Sequence, residues 1–197
     1  MRASSRDTRS MSSPRFGPAR SARPPRPLPE GVVAEEFLAG LRRAGSSFVI
    51  GLPDSLLACL HRAAAAAEAI KYVPVASESD MPGIAAGIHL GGGRALLLME
   101  NSGIRQACEP LARFGLTHQL PIVMLLSFRG DLGEAEWWGH SHAQTMLPLL
   151  DALRIPYWFV KGEWRLQRAI PAAFAHAESG QMPVALIMRG CCGLDAA

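Results

Sequence analysis

Two short apolar runs limit most tightly what this chain can fold into. Ala95-Leu96-Leu97-Leu98-Met99 and Ile122-Val123-Met124-Leu125-Leu126 contain neither a polar residue nor an alternation. A strand with one face in water alternates apolar and polar side chains. A strand covered on both faces does not, and it reads as an unbroken apolar stretch. Both runs fall far short of the roughly 20 residues that a membrane-spanning helix requires. They are read as central strands of a sheet sandwiched between helices. The spacing elsewhere predicts helices over 32–43, 54–67, 78–90, 101–114, 144–153 and 164–177. It predicts strands over 48–50, 72–75, 95–99, 122–126, 157–160 and 184–188. The expected fold class is α/β: an open, mainly parallel six-stranded sheet with helices on both faces. Ligands of such sheets sit at the carboxyl ends of the strands. Those ends are residues 51–55, 76–80, 100–103, 127–142, 161–163 and 189–192.

The domain plan follows from composition. Residues 1–28 hold seven Arg and one acid, a local balance of +6, whereas the 197-residue chain carries +3 in all, so the remainder carries about −3. The basic character therefore belongs to the start of the chain. Rich in Arg, Ser and Pro, residues 1–29 cannot offset their ordering entropy by burial and are expected to be a disordered extension. An Arg- and Ser-rich, acid-poor start is also the composition of a transit peptide, although its prolines interrupt an amphipathic helix. Residues 30–190 form the expected folded domain and 191–197 a tail. Lys is nearly absent (Lys71 and Lys161), and aromatics are 7%. That combination argues against a nucleic-acid surface of basic side chains interleaved with stacking rings. The four cysteines, Cys59, Cys108, Cys191 and Cys192, form no C-x-x-C, which favours free thiols in a reducing cytoplasm.

Three strand ends carry residues with chemical potential. In Ser77-Glu78-Ser79-Asp80 a carboxylate stands at a helix start; either it faces a ligand, or Ser77 and Asp80 form a variant capping box. In Glu100-Asn101-Ser102-Gly103 free backbone N–H groups can hold a polar ring edge, or Asn101 or Ser102 simply caps the helix. The stretch from Ser127 through Trp137-Trp138-Gly139-His140-Ser141-His142 is long enough for a lid or site wall, and equally suits a solvated surface loop. His140-x-His142 lacks a third ligand at a metal-site spacing. Gly91-Gly92-Gly93 follows a helix and precedes a strand, the reverse of a dinucleotide-binding turn, and neither a Walker A sequence nor a G-x-S-x-G turn occurs.

Five segments in order resemble a known family. They are Gly51-Leu-Pro-Asp-Ser-Leu-Leu57, Glu78-Ser-Asp-Met-Pro-Gly-Ile-Ala-Ala-Gly87, Met99-Glu-Asn-Ser-Gly103, Ser127-Phe-Arg-Gly130 and Leu149-Leu-Asp-Ala-Leu153. They are similar to the pyrimidine-binding domain of thiamine-diphosphate-dependent 2-oxoacid decarboxylases, above all to sulfopyruvate decarboxylase alpha subunits and phosphonopyruvate decarboxylases. The resemblance covers about residues 30–190. It implies a thiamine-diphosphate-binding fold of the pyrimidine type. It also implies that Glu78 is catalytic, hydrogen-bonding N1′ of the aminopyrimidine and favouring the imino form that takes the proton from the thiazolium. A partly desolvated carboxyl suits that task because it can share a proton with a ring nitrogen. Asn101, Ser102 and Gly103 would join Glu78 around the pyrimidine. Asp54, Arg105, Arg129, His140 and His142 would face substrate, the guanidinium groups suiting a sulfonate or phosphonate.

The family holds the diphosphate through Mg2+ with a Gly-Asp-Gly motif and a downstream Asn. This sequence has no Gly-Asp-Gly, and its one Asn is Asn101. The resemblance therefore implies a beta subunit carrying that motif, a cofactor of thiamine diphosphate with Mg2+ held mainly by that partner, and a hetero-oligomer acting on a small 2-oxoacid. Carboligation on the same cofactor and a noncatalytic partner domain are the alternatives. The sequence departs from the family after Asn-Ser-Gly, where Ile104-Arg105-Gln106 follows, and at Trp137–His142. Both departures fall where substrate is expected.

Overall fold

The computed structural model describes residues 29–161 and 163–189. The expected disordered extension and the vicinal cysteines of the tail lie outside these residues. So does most of the 189–192 strand end.

The chain alternates helices and strands as its patterning dictates. In order they are α1 (Glu30–Ala44), β1 (Phe48–Gly51), α2 (Ala58–Ala66), β2 (Lys71–Pro74), α3 (Asp80–Leu90) and β3 (Ala95–Met99). A 3-10 turn (Asn101–Gly103) leads into α4 (Ile104–Pro110), which runs on through a π-helical stretch (Leu111–Thr117). Then come β4 (Val123–Ser127), α5 (His140–Ala152), β5 (Tyr157–Phe159), α6 (Leu166–Gly180) and β6 (Val184–Met188). The six strands form one sheet of order β2-β1-β3-β4-β6-β5. Every neighbouring pair is parallel.

The apolar runs do what their composition requires. In β3, β4 and β6 every residue is buried. Their side chains alternate between two cores. Leu96, Leu98, Val123, Leu125, Val184 and Leu186 meet α1, α2 and α6 on one face. Leu97, Met99, Met124, Leu126, Ala185 and Ile187 meet α3, α4 and α5 on the other. The chain passes from β2 back across β1 to β3, so the strand order reverses there. At such a switch point the loops splay apart and leave a crevice above the strand ends.

Helix starts differ from the sequence expectation more than strands do. α2 begins at Ala58 rather than 54, because Asp54 Oδ1 accepts the Leu57 N–H (2.9 Å) and holds residues 54–57 as a turn. α5 begins at His140 rather than 144, so both histidines lie in its first turn. α3 starts after Ser79 and the 3-10 turn after Glu100, each without a cap bond from the residue before it, although Ser77 Oγ accepts the Ser79 N–H as an N-cap does, which is half of the anticipated box. Cys59 is disulfide-bonded, which corrects the free-thiol expectation for that residue, whereas Cys108 is free. Among the described residues no helix is long and apolar enough to cross a membrane.

The α1–α6 contact relies on a missing side chain. A Cβ at Gly40 would lie 2.7 Å from the Leu166 carbonyl oxygen and 2.9 Å from Ile170 Cδ1. Gly40→Ala is expected to push the helices apart and lower the unfolding free energy by about 1–3 kcal/mol. Urea unfolding of the two proteins checks this, and an unchanged midpoint contradicts the packing described.

Candidate functional site

The loops after β1, β2, β3 and β4 converge above the switch point. Glu78 sits in the loop after β2, where the chain turns into α3. Its side chain is sequestered, with the residue only 9% exposed. Among the described residues no group donates a hydrogen bond to its carboxylate and no cation pairs with it. The carboxylate lies flat against Gly103 in the turn after β3. A Cβ there would come within 2.5 Å of Glu78 Cγ and 2.8 Å of Oε1. Gly103 is thus a close-approach glycine, and any larger residue displaces the acid. Ser77 holds the same loop from the side. Its hydroxyl donates to Gln106 Oε1 on α4 (2.8 Å) and accepts the Ser79 N–H (3.3 Å).

Asn101 is fully buried and its amide is already committed. Nδ2 donates to the Arg129 carbonyl (2.9 Å), and Oδ1 accepts the Arg129 N–H (3.2 Å). Its own N–H donates to Ser127 Oγ (3.3 Å). The side chain pairs with a backbone as another strand would, and so fastens the turn after β3 to the loop after β4. It shapes the site without pointing a free amide into it. Ser102 is half-buried, and its carbonyl accepts the Arg105 Nε–H (3.2 Å). Arg105 is otherwise exposed.

Arg129 is packed into a polar cluster. Its guanidinium lies 3.4 Å from Glu134 Oε1 and 4.0 Å from Glu100 Oε1. It donates to Ser55 Oγ (3.3 Å) and stacks 4.4 Å from the Trp138 ring centre. With two carboxylates beside it and a side chain 10% exposed, its charge is largely balanced from within. His142 is buried, and its Nδ1 lies 2.8 Å from Glu100 Oε1, an ion-pair distance without good hydrogen-bond geometry. The Trp138 ring covers it at 5.4 Å. His140, two residues earlier, is exposed.

Asp54 faces the interior. One oxygen caps Leu57 N, and the other lies 3.4 Å from His61 Nε2. The structure therefore joins Glu78 to Gly103, and Asn101 to the Arg129–His142 cluster. It turns Asp54 inward and leaves Arg105 and His140 facing solvent. Gly87, which helps define the resemblance, is exposed on α3, and a Cβ there would touch nothing within 4 Å.

Sequence reasoning gave no role to Glu100, Glu134 or Ser55, and placed Trp138 only within a lid or site wall. Glu100 stands directly before Asn-Ser-Gly, so its position was available, but its partners are some thirty and forty residues downstream. Glu134 reads as an ordinary loop acid. In the structure it staples the 130–139 loop, accepting the Gly130 N–H (3.0 Å) and the Glu136 N–H (3.1 Å). Gly139 makes room for it, since a Cβ there would meet its carboxyl at 2.7 Å. A cavity of about 230 Å3 at the β5 edge, lined by Trp158, Trp164, Ala173 and His176, offers one imidazole and otherwise apolar groups. It lacks the acid that the strand ends supply. Among the described residues no group of three or more His, Cys, Asp or Glu could hold a metal ion.

Comparison with known proteins follows the same lines. The sulfopyruvate decarboxylase alpha subunit of Methanothermobacter thermautotrophicus is 36% identical over 101 residues, 51% of this chain and 61% of the relative. That of Methanococcus maripaludis is 28% identical over 155 residues, 79% of this chain and 93% of the relative. The phosphonopyruvate decarboxylase of Streptomyces hygroscopicus is 32% identical over 105 residues, 53% of this chain but 26% of the relative. The chain is similar to these decarboxylase chains. The resemblance read from its five motifs is thereby borne out. No protein-family model matches the chain. The match to the first of these relatives spans about three-fifths of its length, and the match to the phosphonopyruvate enzyme about a quarter.

Glu134 gives the site a pH signature. Burial alone would raise its pKa. The backbone N–H groups of Glu136 and Gly130 and the charges of Arg129 and His140 outweigh that and hold the carboxyl below its ordinary value of 4.5. A depressed folded pKa contributes stability that is complete above the unfolded value and is lost as pH falls through the folded one. Unfolding from about pH 6 down to about pH 3 is expected to cost the wild type more stability than Glu134→Gln. Parallel loss in both proteins contradicts the staple.

Proposed function

We propose that this chain is the pyrimidine-binding subunit of a heteromeric thiamine-diphosphate-dependent decarboxylase acting on a small anionic 2-oxoacid such as sulfopyruvate or phosphonopyruvate. The observation that carries this reading is Glu78, a largely buried residue whose carboxylate has no partner among the described residues, with Gly103 pressed against it. Its carboxylate is therefore left available to a ligand that offers a hydrogen bond. The names of the relatives supply the reaction class and, through the word alpha, a second subunit.

The residues fit the aminopyrimidine half of the cofactor. Glu78 would hold a ring nitrogen and move a proton at its carboxyl oxygen. Gly103 clears the space beside that oxygen, and the Asn101 clamp fixes the turn carrying Gly103. When bound, thiamine diphosphate supplies the electron sink for loss of CO2, so this chain's task is orientation and proton control. Arg105, exposed beside Ser102, is the cation best placed by its freedom to meet an anionic tail. Arg129 serves instead as an internal strut among Glu100, Glu134 and Ser55. His142, held by Glu100, walls the substrate side, with His140 at the rim. The diphosphate and its Mg2+ fall to a beta subunit carrying Gly-Asp-Gly, because this sequence lacks that motif.

The test is co-expression with such a partner and measurement of CO2 release from sulfopyruvate, phosphonopyruvate and pyruvate. Turnover is expected only with both chains, thiamine diphosphate and Mg2+. Glu78→Gln should lower it by about 10²–10⁴-fold. Full activity of Glu78→Gln removes the acid from the mechanism. Carbon–carbon bond formation without net CO2 release assigns carboligation instead, and a complex inert towards every substrate assigns a noncatalytic partner.

A further inference from the structure

Beneath the candidate site, three titratable side chains that the proposed mechanism does not use form a line. Asp54 follows β1, His61 lies on α2 and Tyr72 on β2. His61 Nε2 is 3.4 Å from Asp54 Oδ2, and His61 Nδ1 is 2.9 Å from the Tyr72 hydroxyl. His61 is 5% exposed and the Asp54 side chain 7%. The end of β1 is built around them. A Cβ at Gly51 would fall 2.8 Å from His61 Cε1 and 3.0 Å from the Tyr72 oxygen.

The donor inventory fixes the protons. A carboxylate only accepts, so Nε2 of a neutral His61 must carry the hydrogen and give it to Asp54. Nδ1 is then a lone pair and accepts from Tyr72. Burial first, and the Asp54 charge second, push the Tyr72 hydroxyl above its ordinary pKa, so it keeps the proton it donates. The other Asp54 oxygen takes the Leu57 N–H (2.9 Å). The two oxygens thus tie the loop after β1 to Leu57 and to His61 on α2. The next residue, Ser55, accepts from the Arg129 guanidinium (3.3 Å).

We propose that Tyr72, His61 and Asp54 are positioning residues: a hydrogen-bonded relay that sets the loop after β1 and thereby holds Ser55 against Arg129. The relay corrects the expectation that Asp54 faces substrate, and it gives Ser55 a role that no motif suggested. Its importance for turnover rests on the proposed function, so the experiment reads geometry in the chain itself, without catalysis.

The test is NMR of the 15N-labelled chain near pH 8, where an unperturbed imidazole is neutral. Long-range histidine correlations should find the His61 proton on Nε2; a proton on Nδ1 overturns the relay. Tyr72→Phe should shift the Ser55 and Arg129 backbone amides, and Ser55→Ala should shift the Arg129 Nε–H. A purely structural tyrosine would lower the unfolding temperature and disturb only residues 48–51 and 61. Shifts confined to those neighbours, with Ser55 and Arg129 unmoved, overturn the proposal. Should Tyr72→Phe not fold, the wild-type tautomer decides alone.

Discussion

A largely buried acid whose carboxylate has no protein partner among the described residues is the constraint around which this end of the molecule is arranged. Glu78 is held there by three separate choices. The loop after β2 is braced by Ser77 against α4, Gly103 vacates the space a side chain would fill, and the sheet order brings the ends of β2 and β3 to either side of β1. Together they leave a largely buried carboxylate open to a ligand rather than paired with a protein group. Such a departure from the self-satisfied pattern of the surrounding core is what a binding site requires.

Around that acid the structure is stiffened by polar groups satisfied within the chain. Asn101 imitates a strand edge and locks the Arg129 backbone. Glu134 imitates the next turn and locks the 130–139 loop. Arg129 lies between Glu100 and Glu134 and under Trp138, so its side chain crosslinks three loops. A preorganised frame of this kind lets a ligand bind without ordering the loops at the moment of binding. It also distinguishes groups that build the site from groups still free to meet a substrate, a distinction the residue types alone do not make.

Strands and sheet class were legible because burial on both faces leaves a local mark. The bounds of β3 and β6 coincide with their apolar runs, and the two-sided core follows from alternation along each strand. Helix starts were less legible. α5 opens on His-Ser-His, which reads as loop until Trp138 and Glu100 are seen to cover its second histidine. Asp54 looks like a substrate-facing acid because its loop lies at a strand end. That it turns inward depends on His61 and Tyr72, seven and eighteen residues away on different elements. Glu78 was legible through resemblance, whereas its local sequence by itself favours a capping box of Ser77 and Asp80. In each instance local periodicity survives in one dimension and long-range pairing does not.

The most direct test of the account is a crystal structure of this chain bound to its diphosphate-binding partner and thiamine diphosphate. The account predicts the Glu78 carboxylate within about 2.6–3.2 Å of a pyrimidine ring nitrogen, at the junction of the two chains. A cofactor seated with its ring away from Glu78, or that side chain rotated into open solvent, would contradict it.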